Sequence, residues 1–224
     1  AMELAVNSTE DVFAKTVSYI LIGNLHKKNN KTEEAVASYT KSIEMCQKND
    51  NKTYTRMNYN FIGDTFFQAK DLNAALDNYL TSVRLSHNDN ERAESFERLA
   101  KTYNALGNHD KAIEFQLKAT VMQKQAGSLT AYADSTLLLG QYFFDAKEYA
   151  HAERNYKKLA KFANDKGGAY YEAKANYRLA EVMFANGDKE GAKALFIDAS
   201  NLAKKVGAKQ LALEIETTQK KLNI

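Results

Sequence analysis

A short alternation of apolar, small and polar positions recurs along the chain. In its second appearance it reads Ile62, Gly63 and Phe66, then, past a polar turn at Lys70-Asp71, Ala75, Tyr79 and Ser82. Spacings of three and four residues set each group along one helical face, so the unit predicted is helix, turn, helix. Neither helix buries its apolar stripe alone, and the unit therefore needs neighbours. With the small residue as anchor, the pattern falls on Gly23, Gly63, Ala100, Gly140 and Ala180, in steps of 40, 37, 40 and 40 residues. Twelve positions after every anchor stands alanine: Ala35, Ala75, Ala112, Ala152 and Ala192. Sixteen after stand Tyr39, Tyr79, Gln116, Tyr156 and Phe196. The preceding position is Ile22, Ile62, Leu99, Leu139 or Leu179, and the third after is His26, Phe66, Tyr103, Phe143 or Met183. Self-similarity at this period marks a stacked-repeat architecture.

Over about residues 16 to 205 these columns resemble the tetratricopeptide repeat family. The spacing is mostly 40 rather than the roughly 34 usual there, and the proline that commonly closes each unit is missing, the chain having none. Forty-residue variants of this kind resemble those of spindle-orientation adaptors and bacterial peptide-pheromone regulators. The resemblance implies an all-α fold, a right-handed α-solenoid of five helix–turn–helix repeats plus a C-terminal capping helix, and a partner-binding role. One superhelical domain over 1–224 is expected, with repeats at about 9–48, 52–87, 90–125, 128–165 and 168–206 and the capping helix at 208–222.

Local chemistry marks the boundaries. Ser8 or Thr9 is expected to cap the first helix, which runs to about Lys28; Asn29-Asn30 make its turn, and Thr32 with Glu33 and Glu34 opens the next helix. Asp71 is the expected inner cap of the second unit, and Gly107-Asn108, Lys147 and Gly187-Asp188 the inner turns of the last three. Asn88-Asp89-Asn90, Gly127-Ser128 and Lys166-Gly167-Gly168 separate units. After Gly207, Leu211, Leu213, Ile215 and Leu222 read as the apolar positions of a terminal helix whose polar outer face closes the stack. Gly23, Gly63 and Gly140 are expected to let two backbones approach, a larger side chain overpacking by about 1–3 kcal/mol. Loss of an aromatic from the column at 39, 79, 156 and 196 is expected to cost about 3–5 kcal/mol. Gln116 breaks that column, which suggests that the third unit packs differently.

Composition narrows the function. With 31 basic and 28 acidic residues in 224, the net charge of +3 is too balanced to predict a nucleic-acid interface. No run approaches a membrane span, and no signal peptide is visible. Cys46 is the single cysteine, which excludes an internal disulfide framework and fits a reducing cytoplasm. The opening Ala1-Met2 reads as an expression remnant, leaving open that the chain is a piece of a longer protein.

Chemistry-bearing motifs are missing. The histidines His26, His87, His109 and His151 have no metal-ligand spacing, Cys46 has no positioned base, and no phosphate-cradling or nucleophile-elbow motif occurs. Neither metal nor cofactor is expected, and no enzymatic activity.

The remaining candidate is a surface. The resemblance implies that the first helix of each unit lines a concave groove, with facing positions at −6, −3, +1, +4 and +5 from each anchor. From these the peptide-binding candidates are Asn24, Lys28, Asn60, Asp64, Phe67, Glu97, Lys101, Asn104, Gln141, Phe144 and Tyr177. Side-chain amides donate and accept at once and so can clasp a peptide backbone; aromatics receive apolar anchors. Asp64, Glu94, Glu97, Asp134 and Asp145 against Lys101 give the middle of the groove an acidic lean. The lysine of the family's carboxylate clamp is replaced by Ile20, ahead of Asn24, which disfavours chaperone C-terminal tails. The function expected is a non-catalytic scaffold for a protein or peptide ligand in the groove, an adaptor or regulatory module. The alternatives are the sensory domain of a larger peptide-responsive regulator and a self-assembling homo-oligomeric module.

Overall fold

The computed structural model describes residues 11–224. The described residues form eleven α-helices: α1 Val12–Lys28, α2 Thr32–Lys48, α3 Lys52–Gln68, α4 Leu72–Leu85, α5 Asp89–Ala105, α6 His109–Gln125, α7 Leu129–Asp145, α8 Tyr149–Asp165, α9 Ala169–Ala185, α10 Lys189–Lys205 and α11 Lys209–Leu222. The caps expected at Ser8 and Thr9 lie outside the described residues; α1 is capped by Asp11, whose Oδ1 accepts from the Phe13 N–H at 2.9 Å. Asn51, Asp71, Asn88, Asn108, Ser128 and Asp188 cap later helices in the same way.

The repeat is written most plainly in the turns. Seven residues after each anchor the backbone is left-handed, at Asn30, Lys70, Gly107, Lys147 and Gly187. A second left-handed residue, at Asp50, Gly127, Gly167 or Gly207, joins one hairpin to the next. The junction after α4 lacks it. There α4 has 14 residues where its hairpin counterparts have 17, and the chain leaves through an extended Ser86. Those three missing residues are the 37-residue step.

The structure divides into two compact bodies, one up to Met122 and one from Gln123. In the first, α1 packs on α2, α2 on α3, α3 on α4 and α4 on α5; in the second, α7 packs on α8 and so on through α11. This is the consecutive helix-pair packing of an all-α tetratricopeptide-like solenoid. Each body has its core on the repeat columns. All five column alanines are fully buried, and Tyr39, Tyr79, Gln116, Tyr156 and Phe196 are buried with them. Alanine is required where the two helices of a hairpin meet because a longer side chain would hold them apart.

Junctions between hairpins differ in chemistry along the chain. Asn58 donates to Ser42 Oγ at 2.9 Å, and Ser42 donates to the Thr16 carbonyl. Ser82 and Ser95 pair at 2.8 Å. The equivalent positions in the second body are Leu159 with Ala175, and Ala199 with Ile215, all fully buried and apolar. The polar junctions fix register through bonds that are costly to leave unmade, whereas the apolar ones rest on burial alone.

Two expectations need correction. Leu213 is 57% exposed and Ala212 takes its place inside, because 211, 213 and 215 alternate with a strand's period while a helix carries 211, 212 and 215 on one face. The anchor glycines make room not for a backbone but for the tyrosine ring of the partner helix.

Candidate functional site

First helices of successive hairpins lie side by side within each body. Arg98 on α5 donates from Nε to Asp64 Oδ1 on α3 at 3.1 Å, and Lys101 Nζ stands 4.9 Å from the centre of the Phe67 ring. Gln68 on α3 donates to the Lys27 carbonyl at 3.3 Å, at the end of α1. In the second body Tyr171 on α9 donates to Asp134 on α7 at 3.1 Å, and Tyr177 meets Thr218 on α11 at 2.9 Å.

This arrangement sorts the candidate residues by column. The −3 column faces the neighbouring first helix and is closed off: Ile20, Asn60, Leu137 and Tyr177 are all buried. Asn60 is 1% exposed and Tyr177 2%, so neither presents its side chain on the surface where a groove residue was expected. Tyr177 is a core side chain against Phe196, with the Arg178 guanidinium over its ring at 4.8 Å. Burial pushes its hydroxyl up to about 12, against the bond from Thr218. Glu97 is the half-buried member of the column. The +1, +4 and +5 columns reach the surface. Asn24, Asp64, Phe67, Asn104, Gln141 and Phe144 are half-buried; Lys28 and Lys101 are exposed.

The amides are partly engaged. Tyr39 donates its hydroxyl to Asn24 Oδ1 at 2.8 Å, leaving the Asn24 NH2 to the surface. Asn104 Oδ1 pairs with His109 Nδ1 at 2.8 Å, and Gln141 donates to Asp145 at 2.8 Å. Both polar atoms of the Asn60 side chain are buried without a hydrogen-bond partner.

Arginines that the groove positions passed over correct the acidic lean. Arg56 is buried and reaches Glu94 Oε2 at 3.1 Å and Glu91 at 3.6 Å; Arg98 reaches Asp64 and, at 3.0 Å, Glu94 Oε1. Burial alone would lower the Arg98 guanidinium, but the Asp64 and Glu94 charges hold it above its usual value. Asp64, Glu91 and Glu94 are thus matched by arginines of the same body. A trace of this was present in the sequence: Glu94 and Arg98 stand four apart on one helix face, the spacing of an ion pair. Among the described residues no group of three or more His, Cys, Asp and Glu is placed to hold a metal ion, and no helix is long and apolar enough to cross a membrane.

Comparison with known proteins follows the same lines. The sequence model of the tetratricopeptide repeat matches residues 17–49 and 93–125. A search of curated proteins by sequence returns no significant match. Among solved structures, the tetratricopeptide-like repeats of a putative kinesin light chain from Podosopora anserina superpose with a TM-score of 0.74 at 14% identity, over 89% of this chain and 100% of that one. Aspartyl phosphate phosphatase F from Bacillus subtilis superposes with a TM-score of 0.77 at 11% identity, over 93% of this chain and 55% of that one. A Rap protein complexed with competence and sporulation factor gives 0.64 at 12% identity, over 99% and 67%. At such identities the likeness is one of fold. The tetratricopeptide repeat is thus recognised by sequence in the first and third hairpins, its columns and turns recur in the other three, and the fold is that of tetratricopeptide-like repeats.

Proposed function

We propose that this protein is a non-catalytic scaffold that holds a segment of a partner protein against its first helices. The observation that carries this reading is the surface that the +1, +4 and +5 columns make within each body: in the first, spare amide valence at Asn24 and an apolar ring under a cation at Phe67 and Lys101; in the second, a half-exposed ring at Phe144. A side-chain NH2 can bond a peptide carbonyl while a ring takes an apolar side chain, and helices already packed incur no ordering cost on binding. Binding residues on this reading are Asn24, Lys28, Asp64, Phe67, Glu97, Lys101, Asn104, Gln141 and Phe144, with Asn60 and Tyr177 acting from beneath the surface. The single buried Cys46 suits a reducing compartment such as the cytoplasm.

The test is selection of a random peptide library on the wild type and on an Asn24→Ala, Lys101→Ala, Gln141→Ala triple variant with unchanged helical circular dichroism. Peptides enriched on the wild type should lose affinity for the variant by at least about tenfold, one lost charge-assisted bond being worth that much. Equal binding to both proteins overturns the reading. A second reading, a peptide-responsive regulator, is supported by the likeness to the Rap protein complexed with competence and sporulation factor.

A further inference from the structure

At the open end of the α7/α8 hairpin, where α7 begins and α8 ends, is a cavity of about 400 Å³, a volume in the range that holds small molecules. Its lining is Lys124, Gly127, Ser128, Leu129, Tyr132, Phe162 and Lys166, none of them among the residues proposed for the first-helix surface. The floor is apolar: Phe162 and Tyr132 meet edge to face at 4.9 Å, with Leu129 beside them. The charged groups are of one sign. Two lysines line the cavity and no acid does. Asp165, next to Lys166, is drawn instead to Lys161 at 3.0 Å. Lys124 has only the Tyr132 ring, 5.9 Å away, as its described partner. The cavity also opens at the start of α7, where Ser128 Oγ accepts from the Ala131 N–H and no acidic residue in the first turn offsets the positive end of the helix.

We propose that this cavity binds a small acid, a carboxylate carried on an aromatic or branched apolar group. The apolar part lies on Tyr132, Phe162 and Leu129, and the carboxylate takes charge-assisted bonds from Lys124 and Lys166 under the field of the α7 N-terminus. A neutral ligand of the same shape would leave both ammonium groups without a counter-charge, so the site selects for the acid. That chemistry belongs both to a free organic acid and to the terminal residue of a polypeptide.

The experiment is a two-dimensional amide NMR titration of the full chain with 3-phenylpropionate, 3-phenylpropionamide and the tripeptide Gly-Gly-Phe with a free carboxylate. The carboxylates should shift the Gly127, Ser128 and Leu129 signals saturably, and the amide should bind at least about tenfold more weakly. A Lys124→Ser, Lys166→Ser variant, whose changes lie on exposed side chains, should lose the preference for acid over amide. Leu129→Glu, which places a negative charge in the cavity, should abolish carboxylate binding while helical circular dichroism is kept. Tighter binding of the tripeptide assigns the site to a chain terminus, and tighter binding of phenylpropionate to a free acid. The proposal is overturned if acid and amide bind alike, if the double-lysine variant keeps the preference, or if no signal near the cavity moves at millimolar carboxylate.

Discussion

The ring of Tyr79 occupies the space that a Cβ on residue 63 would need: an ideal Cβ built on Gly63 lies 2.5 Å from Tyr79 Cε1. Tyr39 stands in the same relation to Gly23, and Tyr156 packs on Gly140. Where the anchor is alanine instead, at 100 and 180, the partner is Gln116 or Phe196. Anchor and aromatic are thus one packing unit. The tyrosine hydroxyl completes it by donating at 2.8 Å to the residue just after the anchor, Asn24 or Asp64.

Gly63→Ala should therefore lower stability by about 1–3 kcal/mol, the cost of overpacking a filled site. Adding Tyr79→Phe, which keeps the ring but frees it from its bond to Asp64 so that it can shift off the new Cβ, should recover part of the loss, as the Ala180 and Phe196 pair accommodates that combination. Urea denaturation of the two single variants and the double variant measures the coupling. Strict additivity would show that the ring and the glycine do not share one space.

Asn60 carries a buried amide with neither polar atom bonded. Such groups cost about 1–3 kcal/mol to bury, and leucine has nearly the same shape. Asn60→Leu should raise the thermal midpoint. If the amide acts in partner binding from beneath the first-helix surface, the same variant should bind its selected peptides less tightly. A lowered midpoint would mean that the amide is satisfied in solution.

Alkaline pH should unfold the protein earlier than its exposed tyrosines would. Burial raises the Tyr39, Tyr79 and Tyr156 hydroxyls well above the ordinary phenol range, and the Asp64 charge adds to this at Tyr39 and Tyr79. Below about pH 10 folded and unfolded chains both hold these protons, and stability does not depend on them. Above it the unfolded chain releases them first, so stability falls as pH rises. Absorbance at 295 nm should show these three of the 13 tyrosines ionising only together with loss of helical circular dichroism. Full ionisation ahead of unfolding would contradict it.

Lys147 holds a left-handed backbone, φ 61°, at the place where the third and fifth hairpins have Gly107 and Gly187. The left-handed form costs a residue with a Cβ about 1–2 kcal/mol, part of which glycine returns through its freer unfolded chain. Lys147→Gly should therefore stabilise by about 0.5–1 kcal/mol in chemical denaturation. No gain would indicate that the lysine side chain makes up the strain.

The candidate surface was readable only in part. Asn24, Lys28, Lys101 and Phe144 reach the surface, at positions that the family resemblance implied. Asn60 and Tyr177 do not, because polarity in a sequence does not say whether a neighbouring helix covers the position. Arg56 and Arg98 lie between the groove positions, and their long side chains turn toward acids on other helices, a direction that spacing along one helix does not define.

By itself the sequence determined the repeat, the helix and turn positions and the core columns, because these follow from local backbone preference and from the period at which apolar residues return. Left-handed turns fell on Asn, Asp, Gly and Lys where the register required them. What only the tertiary structure decided is what each column faces. It gave the glycines to tyrosine rings, buried the −3 column at 20, 60, 137 and 177, paired Asp64, Glu91 and Glu94 with arginines, and brought Lys124, Tyr132, Phe162 and Lys166 around one cavity. These outcomes depend on how separate helices approach in space, and that approach is set by packing among residues far apart in the chain.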